Sequence, residues 1–339
     1  MLSKSKQITR RGFTIIELLV VIGLIAFLVS VLTVALGNAL SSARQRATQA
    51  TLIKIDGLLQ QRLDAFNTNL DRTAKRGEVA IAAKALQTYL NQNGLPGLLD
   101  PVCELLARKN RFRQAFPQTG QTGSPAGVDA PSLVAAGQPF NGNAQNEAES
   151  SEYLYYMLKQ SDFFGVPPVG DSDFSASETA DTDGDGRQEF VDAWKRPFRF
   201  YRWPTRLLKV NGASSSLDRL TAGLLIKGLP APPTQTGDAD PLSQDGDDRL
   251  GLFAKQQSPG GQTPAQYAAN FEQFWHTLQT YHVPLVVSAG QDGALGLFEP
   301  YQISTSQFGY LAQPRTDLAA AITRSHLTDN ITNCNAKSR

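Results

Sequence analysis

Two sets of carboxylates in this sequence stand where a negative charge is costly, and each needs a positive partner. Glu17 is the one charged residue in the 24-residue apolar run from Phe13 to Leu36. A carboxylate inside such a run costs about 2.5–3.5 kcal/mol on membrane-insertion scales. The second set is Asp181-Thr182-Asp183-Gly184-Asp185-Gly186, with carboxylates at alternate positions, a glycine sixth, and Asp192 at position 12 counted from Asp181. Acids this close repel one another unless a cation sits between them, and oxygen-only donors suit a hard divalent ion; the alternative is a solvated Asp/Gly turn. Catalytic chemistry is not expected. His276 and His282 are spaced so that one helix face does not hold both, His326 lies far off, and there is no Gly-x-Ser-x-Gly, Walker loop or cysteine–histidine cluster.

The element that must position Glu17 is a helix. As an α-helix the apolar run is about 36 Å long, enough to cross a hydrocarbon core of about 30 Å. Lys4, Lys6, Arg10 and Arg11 precede it with no acid among them, so the positive-inside bias puts the N-terminus in the cytoplasm and the bulk of the chain outside. Beyond Leu36 the pattern continues. Leu40, Ala43, Ala47 and Ala50, then Leu52, Ile55, Leu59, Leu63 and Phe66, recur at steps of three and four, with Arg44, Arg46, Lys54 and Arg62 on the opposite, polar side. One helix over 13–66 follows, its first half in lipid and its second half amphipathic.

The residues Gly12-Phe13-Thr14-Ile15-Ile16-Glu17-Leu18 resemble the prepilin signature of type IV pilins and of the pseudopilins of type II secretion. That resemblance implies cleavage by a prepilin peptidase between Gly12 and Phe13, methylation of the new N-terminal phenylalanine, and a role for Glu17 in assembly. The carboxylate would stand one helical turn from a fresh cationic amine and meet the amine of a neighbouring subunit. A plain signal anchor is the bland alternative, and it leaves Glu17 unexplained.

The loop at Asp181 resembles the calcium loops of EF-hand and dockerin type, which implies calcium held by Asp181, Asp183, Asp185 and Asp192, with the Arg187 carbonyl at position 7. It departs from them in having Asp192 for the usual glutamate and no clear flanking helices. Further on, Asp192-Ala193-Trp194-Lys195-Arg196-Pro197-Phe198-Arg199-Phe200-Tyr201 is similar to the pseudopilin segment Asp-x-Trp-Gly-x-Pro-Tyr-x-Tyr, with Lys195 in place of glycine. Ser288-Ala289-Gly290-Gln291-Asp292-Gly293 looks like the Ser-x-Gly-x-Asp-Gly turn of major pseudopilins, in which the aspartate belongs to a calcium loop. Glu299 is the one nearby acid here. The tail Asp329-Asn330-Ile331-Thr332-Asn333 resembles the family's Asp-Ile-x-Asn ending.

Between these stretches the periodicity predicts helices over 78–91 and 101–116, the second ending in the basic run Arg108–Arg113 as a solvated helix end, and a short helix over 152–159. Residues 117–148, rich in Gly, Pro, Ser, Gln and Asn, read as an aperiodic insert. Phe198, Phe200 and Trp203 alternate as one strand face, Val283–Ser288 reads as a strand, and Thr263-Pro264 opens an aromatic-striped helix. A second acidic loop, 237–248, has no assignable ligand spacing. Cys103 and Cys334 lie on the exported side, where either a bridge or two thiols is possible.

The expected architecture is therefore α+β and type IV pilin-like, with a leader over 1–12, the long helix over 13–66, and a globular part over 67–339 carrying the 117–148 insert and a small antiparallel sheet. Loss of the leader's four cations leaves 28 basic against 31 acidic side chains, which gives no basic footprint for nucleic acid. The resemblance implies a single-pass inner-membrane protein with a periplasmic globular part. It would be an exported-fibre subunit whose partners are prepilin peptidase, further pseudopilins, the inner-membrane platform and the secretin. A minor type IV pilin of adhesion, motility or DNA uptake is the runner-up.

Overall fold

The computed structural model describes residues 14–71, 73–92, 100–118, 147–159, 164–202, 284–302, 312–315 and 317–336. The leader with Gly12 and Phe13, most of the 117–148 insert, Trp203, the acidic loop 237–248, the helix expected after Pro264, and His276 and His282 lie outside the described residues. The chain forms two compact units, Met1–Arg44 and Gln45–Arg339.

Helix α1 runs from Ile15 to Asp71. No proline interrupts it, and it reaches past Phe66, where the sequence pattern alone would have ended it. From Ile15 to Leu36 its side chains are apolar on every face apart from Glu17, Ser30 and Thr33, and exposed, among them Ile15, Leu19, Ile22, Phe27 and Leu32. A helix with no polar face must find its apolar environment outside its own chain. Its length and composition are those of a membrane anchor.

From Gln45 onward α1 becomes the spine of the second unit. Leu52, Ile55, Leu59, Leu63, Phe66 and Leu70 are buried on one face, each stabilising by roughly 2 kcal/mol relative to exposure. Against them pack α2 (Thr73–Gln92) and α3 (Asp100–Ala115). Phe66 meets Phe112 and Phe116 edge-on at 5.5 and 5.9 Å between ring centroids. Two basic residues depart from the expected surface. Lys109 is buried rather than solvated at a helix end. Arg62 is also buried, where the sequence placed it on the polar side. Its guanidinium donates to the carbonyls of Val166 (2.6 Å), Pro167 (3.0 Å) and Leu158 (3.2 Å). Leu158 belongs to the last turn of α4 (Glu149–Lys159), whose carbonyls lack helical donors, so a buried cation fits there.

Two small antiparallel sheets complete the unit, in keeping with the α+β expectation. Strands β1 (Thr179–Ala180) and β2 (Glu189–Phe190) pair as a hairpin with Thr179 opposite Phe190 and Ala180 opposite Glu189. Strands β3 (Arg199–Tyr201), β4 (Leu285–Ser288) and β5 (Ile331–Thr332) form the second sheet in the order β3-β4-β5. Alternation along the strands separates two cores. Phe200 and Val286 face the α1 core, whereas Tyr201, Leu285 and Val287 join Leu295, Leu297 and Leu327. Leu327 ends α5 (Ala320–Leu327), and α6 (Asn333–Ala336) follows β5 directly. Cys103 and Cys334 are thiols, one buried and one half-buried.

Candidate functional site

Glu17 sits in the first turn of α1, and its carboxylate folds back on the helix start. Its Oε2 accepts from the Thr14 backbone N–H at 2.9 Å and from the Thr14 hydroxyl at 3.1 Å, while the Thr14 Oγ1 accepts from the Glu17 N–H at 3.2 Å. This is a reciprocal Thr-x-x-Glu capping box. It satisfies backbone donors that an apolar surrounding would leave orphaned, each a loss of about 1–3 kcal/mol if unpaired. The four-residue spacing was visible in the sequence; Thr14 as its partner was missed, though Thr-x-x-Glu is itself a readable signal.

The three C-terminal stretches with family-like spacing come together in space. Asp192 is buried, and its Oδ1 accepts from the N–H groups of Trp194 (2.8 Å) and Arg196 (3.0 Å), closing the turn before β3. Its Oδ2 accepts from the Ser288 hydroxyl at 2.6 Å. The turn closes without the glycine: Lys195 adopts φ 66°, the left-handed conformation that glycine tolerates and other residues resist. Arg196 Nη1 donates to the Gly290 carbonyl at 2.9 Å. At Gly290 (φ +66°) a Cβ would stand 2.5 Å from the Asp329 carbonyl oxygen, and at Gly293 (φ +75°) 2.2 Å from the Arg196 guanidinium. No larger residue fits either place without displacement. The tail closes the arrangement: Asn333 Oδ1 accepts from the Val286 N–H at 2.9 Å, and its Nδ2 donates to Asp56 of α1 at 2.7 Å. Asp292 Oδ1 accepts from the Ala294 N–H at 2.8 Å, and the Asp292 N–H donates to Asp329 at 2.9 Å, so Asp292 shapes this turn.

Asp192 therefore does not join the acidic loop. Strand β2 carries the chain away from the loop before position 12 is reached, and both Asp192 oxygens are engaged at the turn before β3. Asp181 also takes another role, accepting from the N–H groups of Gly184 (2.7 Å) and Gly186 (3.0 Å) and so fixing the loop's curve. The loop joins β1 to β2 rather than two helices. Asp183 and Asp185 do converge, but with Glu152 of α4 and Glu189 of β2: one carboxylate oxygen from each of the four lies within 4.8 Å of the others. The sequence reading passed over both glutamates. Glu189 stands at position 9 of the loop, whereas Glu152 has no local signal.

The electrostatics of this cluster are strained. Burial pushes the Glu189 carboxyl up to about 8, with Glu152 and Asp183 adding repulsion against the Thr182 hydrogen bonds. Burial likewise lifts Glu152 to about 7, although Arg187 pulls it down. Arg187 Nη1 lies 3.1 Å from Glu152 Oε2 and 3.1 Å from Asp185 Oδ2. Glu189 Oε2 accepts the Thr182 N–H at 2.8 Å, but its Oε1 is buried and accepts no hydrogen bond.

Comparison with known proteins resolves the N-terminal region. Residues 9–33 match the family model of the prokaryotic N-terminal methylation motif. The chain is a type IV pilin-like, prepilin-type protein. Such proteins are processed by prepilin peptidase and assemble into filaments. No curated protein and no solved structure matches this prepilin-type chain. The matched segment contains Gly12, Phe13, Thr14 and Glu17, so the capping box falls within the motif.

Proposed function

We propose that the protein is a pseudopilin of a type II secretion system, a structural subunit rather than an enzyme. Its precursor sits in the inner membrane with the N-terminus in the cytoplasm and the globular unit in the periplasm. Prepilin peptidase cuts after Gly12 and methylates Phe13, and the product polymerises with itself or with other pseudopilins between the inner-membrane platform and the secretin. The observation that carries this reading is the meeting of the Asp192 turn, the Ser288–Gly293 turn and the tail at Asp329 at one junction. Each of the three resembles a pseudopilin stretch, and their mutual contacts give those spacings a common structural purpose.

The capping box is consistent with a role for Glu17 in assembly. Thr14 and Glu17 both lie beyond the cleavage point, so the box survives processing. It holds the carboxylate at the helix start, where the amine of a neighbouring copy can neutralise it in a medium that penalises both charges. Deleting the gene and comparing the culture medium tests the secretion role. The proposal expects exported proteins to disappear from the medium while surface pili, twitching and DNA uptake persist. Intact secretion with lost pili would instead assign the protein to the minor type IV pilins.

A further inference from the structure

We propose that Glu152, Asp183, Asp185 and Glu189 form a calcium site that clips the first turn of α4 to the β1–β2 hairpin. The geometry is that of ligands around one ion. Calcium takes oxygen ligands at about 2.3–2.6 Å, so two on opposite sides of it stand about 4.8 Å apart, and the four carboxylates each place an oxygen within 4.8 Å of the rest. Magnesium demands about 2.0–2.1 Å in a near-ideal octahedron and sheds water reluctantly, which a cage of four carboxylates does not serve.

Glu189 supplies the second, independent observation. Its residue is 0% exposed, its Oε1 accepts no hydrogen bond, and its carboxylate belongs to the cluster. A buried carboxylate oxygen left without a partner is destabilising, and a divalent ion between the four acids removes that penalty. Arg187 alone does not balance the cluster. Its Nη1 lies 3.1 Å from Glu152 and from Asp185, a single guanidinium against four carboxylates. The two loop aspartates are exposed while the two glutamates are buried, so an ion could enter from the loop side and be held from beneath.

This assignment differs from a loop-contained site in a way that can be measured. The loop aspartates Asp183 and Asp185 are shared by both arrangements; Glu152 and Glu189, from α4 and β2, belong to this one alone. Full-length protein in detergent, stripped with EDTA, is titrated calorimetrically with calcium chloride and with magnesium chloride, and its melting is followed with and without each ion. Expected are one calcium bound per chain, a melting temperature raised by calcium and much less by magnesium, and calcium affinity weakened about tenfold or more in Glu189→Gln and in Asp183→Asn. Asp183 is exposed, so its variant tests the site even where the buried change disturbs folding. Absence of calcium binding by the unaltered protein overturns the proposal. So does a calcium affinity that falls in Asp183→Asn yet is unchanged in both Glu152→Gln and Glu189→Gln, which would confine the ion to the loop.

Discussion

The start of α1 and the globular unit accommodate their charged side chains in opposite ways. At the N-terminal end, Glu17 finds Thr14 within a single helical turn, and everything it touches among the described residues is a short-range neighbour. In the globular unit, Arg62 and one oxygen of Asp192 are settled by groups far away in the chain, carbonyls in and after α4 and a hydroxyl on β4, while Glu189 stands in an acidic cluster built from α4 and a hairpin. The first arrangement can be changed without touching the fold, whereas the second is the fold. Function at the helix start and stability in the globular unit should therefore separate cleanly under mutation.

The largest effect expected is at the helix start. Glu17→Ala makes the span more apolar, so insertion and the melting temperature of the globular unit should stay as they are while fibres fail to form in a sheared-fibre assay. Normal fibres from that variant would break the contrast. Gly290→Ala should do the reverse. It forces a Cβ against the Asp329 carbonyl at a positive φ, and a destabilisation of about 2–4 kcal/mol in urea unfolding is expected, with insertion unaffected.

A smaller effect concerns acid. Burial pushes Glu178 up, but hydrogen bonds from Lys54, Ser175 and Thr51 outweigh it and hold the carboxyl down at about 2. A depressed carboxyl stabilises the fold fully above its unfolded value near 4.5 and loses that contribution as pH falls from there toward 2. Because Lys54 is 45% exposed and screened, the contribution is about 1 kcal/mol. Glu178→Gln should flatten the stability profile between those limits, and an identical acid profile would contradict the assignment. The smallest effect is at Lys195, where glycine would relieve the left-handed backbone and lose a hydrogen bond to the Ser177 carbonyl. A net gain within about 1 kcal/mol is expected for Lys195→Gly, read as a slightly higher urea midpoint.

What the sequence made legible follows the same division. The apolar run, the amphipathic stripe from Leu52 to Phe66 and the position of Glu17 are periodic signals in one helix, and the structure keeps them. The strands at Phe200 and Val286 were visible through alternation and flanking turns. Burial of Arg62 was not, because its partners are carbonyls that become orphaned only once α4 ends beside α1. The place of Asp192 was hidden for a related reason: position 12 of a loop has meaning only if the chain continues to curve, and here it straightens into β2. Glu152 could not have been found by spacing, since α4 and the hairpin meet through Ser151 donating to the Phe190 carbonyl at 2.8 Å and through Tyr155 against the Phe190 ring. Lys195 shows the converse, a turn kept although its most permissive residue is replaced.

Assembly through Glu17 depends on a processed helix start. Intact-mass analysis of the protein extracted from membranes of its own host addresses this directly. The account predicts a chain beginning at a methylated Phe13, and a population that still carries Met1 through Gly12 would contradict it.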